Sequence, residues 1–126
     1  MPKRNVNLGA LAEDKARAFL EANGYQVLFR NYRTRLGEID IIARDKDTLC
    51  FIEVKKRSSD RFGSGLEAVT ASKQRQISKA ALSFLKDKGL LDQKARFDVV
   101  SLDPADGAEK ITLVRNAFEL DGRFTY

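Results

Sequence analysis

The sequence predicts an α/β fold, a mixed β-sheet flanked by helices, with its elements in the order α-β-β-β-α-β-β. Three observations carry this. Two segments repeat apolar residues at helical spacing, and five shorter ones are rich in Val, Ile, Phe and Tyr. The first three strands follow one another with no helix between them, which argues against a doubly wound nucleotide fold. A helix before them and another after them leave an α/β sandwich as the way to bury both faces of the sheet.

Each element has its own signal. Leu8 to Asn23 reads as a helix, because Leu8, Ala12, Ala16, Phe19, Leu20 and Asn23 fall on one face. Asn7 can cap its start, and Gly24 can stop it. Tyr25 to Asn31 is the first strand, Glu38 to Arg44 the second and Thr48 to Lys56 the third. The polar link Asp45-Lys46-Asp47 makes the second and third a hairpin. Arg57 to Gly65 is polar, holds two glycines and reads as a loop. Thr70 or Ser72 caps a long helix running to about Lys88 and ended by Gly89. Ala95 to Leu102 and Lys110 to Arg115 are two further strands, with Asp103-Pro104 and Asp106-Gly107 in the turn between them.

A chain of 126 residues with 43% hydrophobic and 33% charged residues fits one domain, residues 1–126, with a core of its own. The basic start, Met1-Pro2-Lys3-Arg4-Asn5, has no apolar segment behind it and does not read as a signal peptide. No apolar run approaches the ~18 residues of a membrane span. Cys50 is the only cysteine and lies in an apolar stretch, which suits a reducing cytoplasm and forbids an internal disulfide. The net charge of +5 is compatible with a phosphate-rich partner. There is no histidine, which excludes Ser-His-Asp and Cys-His catalysis and His-ligated zinc. Chemistry here must use carboxylates, lysine, tyrosine, hydroxyls or an oxygen-bound metal.

The hairpin carries such a set. Side chains alternate between faces along a strand, so Glu38, Asp40 and Ile42 are expected on one face, and Phe51, Glu53 and Lys55 on one face of the next strand. With Lys46-Asp47 at the tip, Asp45 opposes Thr48, Ile42 opposes Phe51, Asp40 opposes Glu53 and Glu38 opposes Lys55. Asp40 facing Glu53 destabilises a ladder unless a counter-charge or a proton relieves it. A divalent cation is an economical solution, and ligands that are all oxygen point to Mg2+ or Mn2+. Phosphodiester hydrolysis needs a metal to neutralise developing charge and a cation beside the reacting oxygens. Asp40, Glu53 and Lys55 supply both needs without histidine. The residues also suit a hairpin in which Glu38 pairs with Lys55 while Asp40 and Glu53 are solvated, and this alternative stays open.

Gly37-Glu38-Ile39-Asp40-Ile41-Ile42-Ala43-Arg44-Asp45, followed by Phe51-Ile52-Glu53-Val54-Lys55, resembles the YraN family of bacterial proteins. Its members are regarded as restriction-endonuclease-like, within the PD-(D/E)xK superfamily, and are similar to archaeal Holliday-junction resolvases. The likeness runs over nearly the whole chain, through Ala12-Glu13, Gly24-Tyr25, Asn31-Tyr32-Arg33, Phe62-Gly63, Glu67-Ala68-Val69, Lys73, Arg96-Phe97-Asp98-Val99 and Asn116-Ala117-Phe118. It implies a restriction-endonuclease-like sheet, with Asp40 and Glu53 as metal ligands and Lys55 as the catalytic lysine. Glu13 would correspond to the helical glutamate that completes the site in the junction resolvases. Ile39 stands where the superfamily has proline, and Ala12-Glu13 replaces the family's Gly-Glu.

Other residues could serve the same chemistry. Gln74 lies near the start of the second long helix, where it could orient a water or a phosphate. Arg30, Arg33 and Arg35, with Lys56 and Arg57, are candidates for a phosphate backbone. Arg61, Arg75, Lys79 and Lys86 could extend that surface. Tyr32 and Phe62 could stack on bases, or simply pack. The expected function is a Mg2+-dependent endonuclease acting on DNA, more than on RNA, including branched or structured forms, with no membrane partner. Junction cutting would call for a homodimer. The alternative is a catalytically weak nucleic-acid-binding or assembly module in DNA repair or RNA metabolism.

Overall fold

The computed structural model describes residues 8–56 and 69–119. The expected loop Arg57–Gly65, with Arg57, Arg61 and Phe62, and the expected cap Asn7 lie outside the described residues. The elements are α1 (Leu8–Ala22), β1 (Gln26–Arg33), β2 (Glu38–Asp45), β3 (Thr48–Lys56), α2 (Ala71–Asp87), β4 (Ala95–Ala105) and β5 (Ala108–Phe118). This is the α-β-β-β-α-β-β order that the sequence predicts.

The helix ends follow from local chemistry. Gly24 takes φ +91°, and the N–H groups of Gly24 and Tyr25 return to the carbonyls of Glu21 and Leu20, a Schellman stop. Gly89 repeats the device with φ +67°, closing on Lys86 and Leu85. Of the two expected caps for α2, Thr70 is the one used: its side chain accepts from the Lys73 N–H at 3.1 Å.

The five strands form one mixed sheet in the order β1-β2-β3-β4-β5. Every neighbouring pair is antiparallel except β3 and β4, which are parallel. A parallel pair needs a crossover, and α2 lies between these two strands in the chain. α1 covers one face, where Ala12, Ala16 and Leu20 pack on Ile41, Ala43, Cys50, Ile52, Val100 and Leu102. α2 covers the other, where Ile77, Ala80, Ala81 and Phe84 meet Ile39, Ile42, Leu49, Phe51 and Phe97. Tyr32 joins this second cluster with its ring edge-on to Phe84 at 5.3 Å, so of its two expected uses it is packing that the fold employs.

The last two strands run longer than the sequence suggests. Asp103-Pro104 belongs to β4, and the turn is Asp106-Gly107 alone, with φ +35° and +77°, the left-handed pair that a tight hairpin requires. Proline is tolerated there because Pro104 faces Glu109 in the rung next to Ala105↔Ala108, a position of a two-residue hairpin at which the ladder to β5 requires no N–H.

Candidate functional site

The hairpin register starts as the sequence predicts, with Asp45 opposite Thr48 and Ile42 opposite Phe51, and runs to Ile41↔Ile52. It then stops. The next hydrogen-bonded rung would join Ile39 and Val54, but the Val54 N–H donates instead to Asp40 Oδ2 at 2.8 Å. Alternation fails at the same place: Ile39 and Ile42 both pack on the α2 side, while Ile41 packs on the α1 side. The expectation that strict alternation carries Glu38, Asp40 and Ile42 on one face is therefore corrected. Asp40 sits where β2 and β3 part, between the two layers.

Glu53 lies beyond that break, 4% exposed. Its Oε1 faces two ammonium groups, Lys55 Nζ at 3.5 Å and Lys73 Nζ at 3.7 Å. Its Oε2 is buried and has no hydrogen-bond partner. The Asp40 and Glu53 carboxyls lie within reach of one another, but a hydrogen bond between them needs a proton on one of the two, so with both ionised Oε2 meets no donor. Burial first, and then the Asp40 charge, push Glu53 up to about 7, with Lys73 and Lys55 opposing. Burial also raises Asp40, against the Val54 N–H that favours its ionised form. Glu13, on α1, is raised by burial and then by Asp40, with Arg30 pulling the other way and Glu38 adding to the rise. Four carboxylates thus share one region, contributed by α1, β2 and β3.

The other candidates distribute as follows. Glu38 pairs with Arg33 at 3.5 Å, its ladder partner on β1, while Lys55 pairs with Glu53. The cross-strand pair Glu38–Lys55 is not the arrangement adopted. Gln74 donates its amide to the Val69 carbonyl at 3.1 Å. Arg30 pairs with Asp14 at 2.5 Å, and Lys56 with Glu109 at 2.7 Å. Arg35 is exposed in the β1–β2 connection. Exposed pairs of this kind contribute little to stability.

Lys73 is a site residue that the family resemblance runs through but to which sequence reasoning gives no role. It occupies the first turn of α2, where the helix dipole disfavours a cation, and that misfit was the available signal. Gln74, one residue on, lies about 100° further round the helix.

The donor set fits a hard divalent cation. Among the described residues no three His, Cys, Asp or Glu side chains come together as a ready cage. Mg2+ commonly takes only one or two carboxylates and completes its shell with water and phosphate. Asp40 and Glu53 offer two, and the partnerless Glu53 Oε2 is the kind of buried acceptor that such an ion would satisfy.

Comparison with known proteins places this geometry in a family. The model of the uncharacterised protein family UPF0102 matches residues 12–102, which includes Glu13, Asp40, Glu53, Lys55 and Lys73. A UPF0102 protein of Desulforapulum autotrophicum is 47% identical over 121 residues, spanning 96% of this chain and 100% of the relative. Another, from Geobacter sulfurreducens, is 50% identical over 117 residues, 92% of this chain and 91% of the relative. A third, from Syntrophus aciditrophicus, is 49% identical over 117 residues, 93% and 92% of the two chains. With a family model matched over most of its length and relatives near half identity end to end, the chain belongs to the UPF0102 family, the YraN family that its hairpin resembles.

Proposed function

We propose that this protein binds nucleic acid and hydrolyses phosphodiester bonds in DNA with the help of Mg2+ or Mn2+. One observation carries the reading: a buried carboxyl pair, Asp40 and Glu53, with one Glu53 oxygen between two lysines and the other without a partner. Structural ion pairs seldom leave a buried carboxylate oxygen unsatisfied. Buried acids with perturbed pKa values beside cations are a common signature of catalytic sites. The resemblance to restriction-endonuclease-like proteins supports the same assignment.

Asp40 and Glu53 would hold the cation, and Glu53 would release its proton as it did so. A divalent ion there would neutralise charge on the phosphate and activate water for attack. Lys55 and Lys73, no longer needed to balance Glu53, would stabilise the negative charge that develops on the phosphate oxygens. Arg30, Arg33 and Arg35, with Lys56 and Arg57, would track the backbone, with Arg30, Arg33 and Lys56 giving up their surface partners for phosphates. A branched DNA substrate would engage two such sites in a homodimer.

The test combines three readouts on the purified chain. Cleavage is followed on duplex, flap, junction and RNA substrates with Mg2+ or Mn2+, metal binding by calorimetry and nucleic-acid binding by gel shift. Asp40→Asn is expected to weaken Mn2+ binding. Lys55→Ala is expected to keep it and to lose a hundredfold or more in cleavage rate, the loss of about 3 kcal/mol typical of one charge-stabilising group. Wild-type cleavage by Lys55→Ala would sink the mechanism. Binding without cleavage by the wild type, weakening steeply with salt, would favour the binding module instead.

A further inference from the structure

We infer that Asn31 is a positioning residue: it holds Glu13, the helical glutamate that the family resemblance already implies for the metal site, at the Asp40 end of that site. The inference rests on the reading of Asp40 and Glu53 as a metal site. Asn31 has φ +54°, a left-handed conformation that few side chains adopt. It is skipped by the ladder: Arg30 pairs with Ile41 and Tyr32 with Ile39, leaving Asn31 level with Asp40. Alternation in β1 breaks there, because Arg30 reaches Asp14 on α1 while Tyr32 packs on the α2 side. β2 breaks its alternation at Asp40. Two irregularities thus face each other across one rung, and each turns a polar side chain out of the ordinary pattern.

The Asn31 side chain has a specific use for this. In the amide orientation that satisfies both groups, its nitrogen donates to Glu13 Oε1 at 2.7 Å and Oε2 at 3.1 Å. A carboxylate held at both oxygens by one amide is fixed in position and direction. Glu13 lies near enough to Asp40 and Glu38 to feel their charges, which puts it on the Asp40 side of the site. Asparagine suits the task because its short amide reaches the helix and its backbone accepts the left-handed conformation better than most.

Glycine separates the two roles, because Asn31→Gly keeps the left-handed backbone without strain and deletes only the amide. Thermal unfolding of Asn31→Gly in EDTA is expected to match the wild type. Calorimetric Mn2+ affinity is expected to fall about tenfold or more, the usual effect of losing a group that orients a ligand. Glu13→Gln is expected to weaken Mn2+ binding by at least as much, and the double variant no further than Glu13→Gln alone. Unchanged affinity in Asn31→Gly, or losses that add in the double variant, would overturn the inference. If Asp40→Asn weakens binding while neither Asn31→Gly nor Glu13→Gln does, the metal site stands and the role of Asn31 and Glu13 falls. A wild-type protein that does not bind Mn2+ would take both readings down together.

Discussion

Glu53 illustrates how one buried side chain couples function to stability. Its pKa of about 7 lies above the ordinary 4.5, so the folded protein binds a proton that the unfolded chain releases. Its stabilising share is therefore complete below about pH 4.5 and is lost as pH rises through 7, on the order of 3 kcal/mol for a shift of this size. In EDTA the wild type should lose urea resistance as pH rises from about 4.5 to 7 and level off above that. Glu53→Gln, which has no proton to lose, should show a flatter profile and equal or greater stability at pH 8. Mn2+ should restore the wild type at that pH and leave Glu53→Gln unaffected. A wild-type profile level across this range would show that the pair is not buried as a pair of acids. Lys55 and Lys73 work against the rise in the Glu53 pKa, since two ammonium groups near one Glu53 oxygen favour its ionised form.

At the scale of elements, the site depends on how closely the start of β2 approaches α2. The turn before β2 is closed by Thr34, whose hydroxyl accepts from the N–H groups of Leu36 and Gly37 and donates to the Gly37 carbonyl. Gly37 then passes so near α2 that a Cβ would stand 2.6 Å from the Gln76 carbonyl oxygen. That oxygen is helix backbone and cannot swing aside. Gly37→Ala should cost roughly 1–3 kcal/mol, the range for overpacking, in urea unfolding. It should also weaken Mn2+ binding, because β2 carries Asp40 and α2 carries Lys73. Full stability in Gly37→Ala would mean that the two elements are free to separate. A glycine here is thus required by packing against a helix rather than by its backbone angle.

At the scale of the molecule, a second polar cluster fastens the strands away from the carboxylate site. Asp98, on β4, is fully buried and accepts from the Tyr25 hydroxyl at 2.8 Å, from Arg96 Nε at 3.0 Å and from the Asn116 N–H at 2.8 Å. Arg96 also reaches Asp45 at 2.6 Å, so β2, β4, β5 and the residue before β1 are joined through one network. Removing one partner of such a buried pair strands the other, and Asp98→Ala should cost about 3–5 kcal/mol in urea unfolding. Burial, and then Asp98, push Tyr25 up to about 12 from its ordinary 10. Its contribution is complete below pH 10 and is lost as pH rises to 12. Tyr25→Phe should therefore unfold with a shallower alkaline slope than the wild type. Cys50 is also pushed up to about 12, chiefly by burial, and would supply the slope that remains. An unchanged slope in Tyr25→Phe would mean that its hydroxyl is not sealed from water. Among the described residues no helix is long and apolar enough to cross a membrane.

The sequence by itself determined the element order, both glycine helix stops, the hairpin register near its tip and the acids and lysine of the hairpin. These are local properties: periodicity, turn chemistry and the alternation of a paired strand all act within a few residues. Only the tertiary structure decided the rest. The break at Asp40 and Asn31 needs two neighbouring strands and a helix to make it worthwhile. No window of β2 alone reveals that the Val54 N–H will choose a carboxylate over the ladder. Lys73 reaches Glu53 because α2 lies over the sheet there, while the Gln74 amide nitrogen turns to the Val69 carbonyl. Arg30, Arg33 and Lys56 found acids on other elements that no spacing along the chain could identify. The physical reason is range. Backbone preferences are set by adjacent residues, whereas burial, charge coupling and the choice of a hydrogen-bond partner are set by whatever the fold brings alongside.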